Sequence, residues 1–428
     1  PNCIGMLVPH LGLNASFAHI GATPGELAFV SQSGALVTAM LDWAAARGIG
    51  FSHFVSLGEH ADVDFGDMLD FLGSDPHTRA ILLYIESIDE ARKFMSAARA
   101  AARNKPVIVV KAGRSAAGQA AAASHTGALA GSDAVFDAAI ARAGMLRVLT
   151  LADLFLAAET LARFRDGPSE RLIVLTNGGG AGVMAADEAS ALGVPLAALD
   201  EAMLARLDAV LPANWSRANP VDIIGDAPAE RYVAALDALA HDTASAVLFI
   251  HAPTAIVPSD QIAQAVLPQL STTPRRVLGS WLGDKAVARA RQLCRAAGVP
   301  DYNTPEEAVR AFSFLRSYRQ HQTELLQTPP ARDAMHAMDL PAVRAIVDAV
   351  LADGREILTE PEAKALLAAA GLPVVPTRVV GPSAAEAEAA AGALGYPVVV
   401  KILSHAISHK SDVGGVRLNI GNATELAE

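Results

Sequence analysis

Cysteine is almost missing from this chain: Cys3 and Cys294 are the only two among 428 residues. Two thiols cannot build a disulfide framework or a zinc cluster, and their scarcity suits a reducing cytoplasm. Basic residues are outnumbered, with 34 Lys and Arg against 45 Asp and Glu and a formal net charge of -11. Nonspecific nucleic-acid binding rests on basic patches, so nucleic acid is excluded as an expected partner. No uninterrupted apolar run approaches the roughly 18 residues of a membrane helix, and no signal-peptide pattern opens the chain. The expectation is a protein of the cytoplasm without a membrane partner. Charged residues are few, 18%, and hydrophobic residues make up 52%, which excludes intrinsic disorder. Much of that apolar content is Ala, which favours helix and demands little burial.

The length implies roughly two to four domains. The chain opens Pro-Asn-Cys without Met and stops at Glu428 inside an Ala/Glu-rich helical pattern, so a segment of a longer protein is expected. Short apolar runs alternate with Ala-rich amphipathic stretches: Glu26–Ser31, Ala80–Glu86, Pro106–Lys111, Arg171–Thr176, Ala246–His251 and Arg276–Trp281. Continuous apolar strands alternating with helices read as parallel sheet covered on both faces. A weak repeat is present. ELAFVSQSGALVTAMLDWAAARG from Glu26 and RLIVLTNGGGAGVMAADEASALG from Arg171 are both strand, glycine turn and helix, with Gly34 and Gly179 145 positions apart. This suggests two similar α/β domains in tandem, although any two strand–turn–helix units share such features. The expected organisation is an earlier domain's tail at 1–22, doubly wound units at 23–166 and 167–320, a linker at 321–340, and a further domain at 341–428. In the last, Thr359 reads as a helix N-cap with Glu362 at N3, and Gly371 as the stop.

Five places could carry chemistry. Ser31-Gln32-Ser33-Gly34 lies where a buried strand meets a helix, and free N–H groups there favour an anion; an ordinary capped turn reads the same way. Asn177-Gly178-Gly179-Gly180-Ala181-Gly182 accepts a cost of roughly 0.5–1 kcal/mol per glycine at a helix start. A phosphate cradle explains that cost, as does tight helix–strand packing. No Gly-Lys-Ser/Thr follows, so it is not a Walker A loop. Ser124-His125-Thr126-Gly127 follows a long small-residue stretch that reads as a loop. A neutral imidazole is a good phosphoryl acceptor near pH 7, but most of the 12 histidines must be ordinary solvated residues. Glu86 closes the run ILLYIE, at the sheet edge where α/β folds bind ligands; it could orient an imidazole or be a plain surface charge. Lys401 closes YPVVVK and precedes Ser408-His409-Lys410-Ser411-Asp412, a polar loop ending in Gly414-Gly415 that suits a nucleotide or is simply a charged hairpin.

Taken in order, the strings PNCIG, TPGELAFVSQSGAL, ADVDFGDMLDFL, ILLYIES, KAGRS…SHTGALAGSD, LTNGGGAG, NPVDIIGDA, LTEPEAKALLAAAGLPV and VVKILSHAISHKSDVGGVRLN resemble the NDP-forming acyl-CoA synthetases of the succinyl-CoA synthetase superfamily. The resemblance implies an α/β fold: the tail of a CoA-binding Rossmann-like domain, two tandem flavodoxin-like doubly wound parallel-sheet domains, and the start of an ATP-grasp domain. It implies that His125 is the phosphohistidine and Glu86 its orienting carboxylate. Ser31, Ser33 and Gly34 would face the phosphate at one helix start, and Gly178, Gly179 and Gly180 at another. Lys401 would contact nucleotide, His409 would serve as a second phosphate relay, and Asn2 and Cys3 would edge the CoA and acyl site. No protein metal ligand is implied. The substrates implied are ATP/ADP with Mg²⁺, CoA, phosphate and a small carboxylic acid, in a homo-oligomer or dimer. One departure stands out: Glu59 occupies a position where the family often has Asn, and is expected at the site's rim. The alternative implied is a synthetase-like sensor region of a protein lysine acetyltransferase.

Overall fold

The structure, a computed structural model, describes residues 2–126, 132–164, 170–272, 277–327, 338–407 and 410–427, without the side chains of 122–126, 163 and 272. Residues 1–327 form one compact unit and 328–428 a second.

In the first unit, the six strand-like runs all fold as strands, within a residue or two of the expected bounds. They are β3 (Pro24–Ser31), β5 (Ala80–Ile85), β6 (Val107–Lys111), β8 (Arg171–Thr176), β10 (Ser245–His251) and β11 (Val277–Trp281). Their Val, Ile and Leu side chains suit a pleated surface buried on both faces, and β10 is buried along its whole length. Shorter strands complete the sheets: β1 (Gly5–Val8), β2 (Leu13–Ser16), β4 (Phe51–Ser56), β7 (Leu146–Val148), β9 (Val221–Asp222) and β12 (Asp301–Tyr302). The first sheet runs β2-β1-β4-β3-β5-β6-β7 and the second β12-β11-β10-β8-β9. The parallel part of each, counted from its own first strand, has the order 2-1-3-4-5. That is the flavodoxin-like doubly wound order, occurring twice. Residues 5–16, read from sequence as a preceding domain's tail, form the antiparallel hairpin β1–β2, which joins this first sheet through β4.

One apolar cluster spans both sheets. Phe29 and Leu82 of the first and Leu172, Val174 and Leu248 of the second all belong to it and are fully buried. Each such side chain contributes roughly 1.5–3 kcal/mol. The helix Pro305–Leu326 ties the halves together. It starts with Thr304 accepting from the Glu307 N–H at 3.1 Å and continues past position 320 into the stretch expected as linker. On one side Gln322 Nε2 donates to the Gly144 carbonyl at 2.6 Å and the His321 ring to that of Met145 at 2.7 Å. On the other, Arg310 reaches Glu188 at 3.0 Å and Arg316 the Gly193 carbonyl at 2.9 Å. Gly144 has φ +78, and a Cβ there would sit 2.5 Å from Leu325 Cδ2, so only glycine fits this turn.

The Ala-rich stretch before His125 differs from its reading as a loop: Ala116–Thr126 is helical. A run of alanines has the highest helix propensity available, which outweighs the lack of an apolar face.

In the second unit, helices Leu340–Ala352, Glu360–Ala369 and Ala384–Leu394 accompany the antiparallel pair β13 (Val398–Lys401) and β14 (Val416–Ile420). Thr359 stands at the N-cap as its sequence suggests, with Glu362 at N3 reaching back: the Thr359 N–H and hydroxyl both donate to Glu362 Oε2 at 2.7 Å. Gly371, φ +81, follows the helix end.

Candidate active site

In a doubly wound sheet, loops from strands one and three depart to opposite faces and leave a crevice at their carboxyl ends. In the first sheet these strands are β3 and β5. Ser31 closes β3; its hydroxyl donates to the Ser33 carbonyl at 3.0 Å and accepts from the Ser33 N–H at 3.1 Å. This tight turn starts the helix Gly34–Ala46 at Ser33. No side chain caps that helix and no acidic residue lies in its first turn. Its leading N–H groups and positive dipole end therefore remain available to an anion. Glu86 follows β5 across the crevice and is half-buried. Gln32, 9% exposed, bridges the two strand ends: its Oε1 accepts from the N–H groups of Glu86 at 2.5 Å and Ser87 at 3.0 Å, and its Nε2 donates to Ser87 Oγ at 3.2 Å. Burial pushes the Tyr84 hydroxyl up to about 12, with the Glu86 charge adding to the effect.

The second crevice, between β8 and β10, repeats this arrangement 145 positions later. Thr176 Oγ1 donates to the Gly178 carbonyl at 3.1 Å and accepts from its N–H at 3.0 Å. Asn177, 3% exposed, exchanges 2.8 Å hydrogen bonds with both the N–H and carbonyl of Ala252. The helix Gly179–Ala191 starts at Gly178, again with no side-chain cap and no first-turn acid. The tandem repeat glimpsed in sequence thus reappears in the hydroxyl-closed turn and in an amide that bridges the two strands, although the amides take different partners. The glycines divide by environment. A Cβ on Gly180 would meet nothing within 4 Å, and one on Gly178 only Ala252 Cβ at 3.5 Å. On Gly182 it would lie 3.1 Å from both Pro220 and Thr176, and on Gly179 2.9 Å from Asp222 Oδ2. Gly182 is closely packed, whereas Gly180 is bare without any demand from the protein.

The N-terminal residues lie beside the first helix start. Ile4 Cγ1 is 3.0 Å, and the Asn2 carbonyl 3.7 Å, from where a Gly34 Cβ would stand. Asn2 Nδ2 donates to Glu59 Oε1 at 2.6 Å, and Glu59 is exposed. Cys3 is an exposed free thiol. The helix Ala116–Thr126 carries His125, whose side chain lies outside the described residues, as does all of His409. The sequence placed Gln32 and Asn177 within the two candidate turns but gave neither side chain a role; the only signal for one was their shared place in the repeat. Sequence reasoning passed over Lys111, 6% exposed at the end of β6, which donates to the Ala112 carbonyl at 2.9 Å and whose pKa burial pushes down.

In the second unit Lys401 ends β13 and binds Glu360 Oε1 at 2.8 Å. Lys364 stands 3.2 Å from the same oxygen and Lys410 3.2 Å from Oε2. The hydrogen bond from Lys401, with those from Lys364 and Lys410, holds the Glu360 carboxyl down at about 2 against the opposing effect of burial. Three ammonium groups on one carboxylate leave a local positive excess. Among the described residues no group of three or more His, Cys, Asp or Glu is placed to hold a metal ion. No helix among them is long and apolar enough to cross a membrane.

A family model described as succinyl-CoA ligase like flavodoxin domain matches residues 24–161, and one described as ATP-grasp domain matches 349–428. The alpha subunit of acetate–CoA ligase (ADP-forming) I of Pyrococcus furiosus is 38% identical over 319 residues, covering 74% of this chain and 69% of the relative. This chain belongs to the ADP-forming acyl-CoA ligase family. Acetate–CoA ligase (ADP-forming) I of Archaeoglobus fulgidus is 38% identical over 98% of this chain and 60% of its own length. The 4-hydroxybutyrate–CoA ligase (ADP-forming) of Nitrosopumilus maritimus is 33% identical over 100% and 61%. The chain thus spans about three fifths of those two ligases. Among solved structures, the dinucleotide forming acetyl-coenzyme A synthetase 1 of Ca. Korarchaeum cryptofilum, in complex with phosphate and ADP, is similar with a TM-score of 0.70 and 35% identity, covering 78% of this chain and 73% of that one.

Proposed function

We propose that this chain carries the phosphoryl-transfer centre of an acid–thiol ligase: acid + CoA + ATP ⇌ acyl-CoA + ADP + phosphate. The observation that carries the reading is the paired crevice. Two helix starts, each free of a capping side chain and of first-turn acid, follow the first strands of two flavodoxin-like sheets. Preorganised donors of this kind stabilise a phosphoryl group without rearrangement.

In this reading ATP phosphorylates His125, with His409 as a relay from the nucleotide and Lys401 holding its phosphates. Glu86 fixes one imidazole nitrogen so that the other attacks phosphorus. Ser31, Ser33 and Gly34 shape one cradle for the phosphate, and Gly178, Gly179 and Gly180 the other. The phosphoryl group then passes to the carboxylic acid, and the CoA thiol displaces phosphate from the acyl phosphate at an edge that includes Asn2 and Cys3. Dividing the condensation this way avoids thiol attack on an unactivated carboxylate. Magnesium enters as the partner of ATP; the described residues supply no cluster for it, and no step depends on a protein-held metal.

The reading assigns residues 23–166 and 167–320 to the two flavodoxin-like domains, the second closed by the helix that runs on to Leu326, the stretch between that helix and 341 to the linker, and 341–428 to the opening of the ATP-grasp domain, in a protein of the cytoplasm. Relatives named for acetate and 4-hydroxybutyrate support a small carboxylic acid as substrate. A relative named as a subunit supports an oligomer, which light scattering tests. The acetyltransferase-sensor reading has no comparable support, since these relatives are named as ligases. A screen of carboxylic acids with the intact enzyme, following ADP release, tests the proposal: acid- and CoA-dependent ADP is expected, and nucleotide binding without turnover on any acid contradicts it.

A further inference from the structure

We propose that Gln32 is a positioning residue: its side-chain amide fixes the backbone at Glu86 and thereby aims that carboxylate at the phosphate-carrying imidazole. The inference rests on the phosphohistidine reading given above. Gln32 makes no contact that its own strand requires. Its backbone N–H already bonds the Tyr84 carbonyl at 3.3 Å. The side chain instead crosses the crevice and spends both ends of its amide on the segment leaving β5. Two successive backbone N–H groups, Glu86 and Ser87, converge on one oxygen at 2.5 and 3.0 Å. Such a pair holds the peptide between them at a fixed angle, and that peptide carries the Glu86 Cα. A buried amide with unmet bonds is unfavourable, so its satisfaction and the loop's conformation stand or fall together.

The second half of the molecule repeats the device. Asn177 occupies the equivalent position and clasps Ala252, the residue after β10, through both N–H and carbonyl. The same strand end thus carries an amide twice, each time bridging strand one to strand three where a doubly wound sheet opens for its ligand. Local turn geometry alone does not call for this, because the turn itself is closed by the neighbouring hydroxyl, Ser31 or Thr176. The amide's additional work is across the crevice, and in the first crevice the residue it seats is Glu86.

The test is a double-mutant cycle in the intact enzyme, with rapid-quench measurement of phosphohistidine discharge. Gln32→Met keeps the volume and removes the hydrogen bonds. It is expected to slow discharge at least tenfold with KM for acid and CoA within twofold, and to speed hydrogen exchange at the Glu86 and Ser87 amides. Because Gln32 acts through Glu86, the Gln32→Met/Glu86→Gln enzyme is expected to be no slower than Glu86→Gln alone. Multiplying effects, or a Gln32→Met rate within twofold of wild type, overturn the proposal. Gln32→Asn, one methylene shorter, runs the same cycle should the methionine variant fail to fold. A wild type that takes no label at His125 refutes the phosphohistidine reading and this proposal with it. A labelled wild type with multiplying variants refutes this proposal alone.

Discussion

Replacing Gly180 with alanine separates a glycine kept for a ligand from one kept for the fold. Gly180 lies in the first turn of the helix Gly179–Ala191, and a methyl group there meets no atom within 4 Å. Gly→Ala in a helix ordinarily stabilises by about 0.5–1 kcal/mol, less near an end, so Gly180→Ala is expected to gain about 0.5 kcal/mol. Gly182, two residues on, is the internal control. Its added methyl group would lie 3.1 Å from Pro220 Cβ and Thr176 Cγ2, and overpacking of this kind costs about 1–3 kcal/mol. Urea unfolding followed by circular dichroism measures both. The phosphoryl-transfer rate of Gly180→Ala is expected to fall at least tenfold, because the methyl group occupies space over the helix N–H groups. A Gly180→Ala enzyme with wild-type rate would refute the reasoning, as would one destabilised by more than about 1 kcal/mol. In the first case no anion needs the bare backbone; in the second the fold does.

Three further outcomes are expected. His251 is 1% exposed, hydrogen-bonded to Tyr232 and Ser259 at 3.0 Å each, and pushed by burial down to about 4. The folded state keeps it neutral while the unfolded chain protonates near 6.5. Its contribution is therefore complete above about pH 6.5 and lost as pH falls toward 4, on the order of 3 kcal/mol; urea unfolding across that range shows the slope, and a His251→Gln variant with an unchanged slope contradicts the assignment. Glu360 titrates near 2 because of its three lysines, so a carbon-detected NMR titration gives a low midpoint that Lys401→Met raises; a wild-type midpoint near 4.5 would show that the cluster does not form. Gly144→Ala forces a side chain into a left-handed turn against Leu325 and is expected to cost roughly 1–3 kcal/mol; an unchanged unfolding midpoint refutes the clasp by the Pro305–Leu326 helix.

The long strands were legible because a parallel strand buried on both faces needs an unbroken apolar run, as in ILLYI and VLFIH. The strands Val221–Asp222 and Asp301–Tyr302, two residues each, carry no period to read. The hairpin Gly5–Ser16 is an edge element with mostly exposed side chains, so its sequence lacks the core signature. The helix Ala116–Thr126 was obscured because alanine and glycine read equally as loop filler or as helix. At the crevices, glycines and the strand-end Glu86 announce themselves by type. Gln32 and Asn177 do not, since an amide after a strand is common and its partners, Ser87 and Ala252, lie 55 and 75 residues away. Only their equivalent places in the repeat link them before the fold is known.

The central claim is that the His125 imidazole hands phosphorus to the acid. Incubating the intact enzyme with γ-labelled ATP, and separately a His125→Ala variant, tests it directly. The account predicts acid-labile, base-stable label in the peptide that holds His125 of the wild type and no acyl phosphate formed from added acid by the variant; wild-type label confined to other peptides, or acyl phosphate made by His125→Ala, would contradict it.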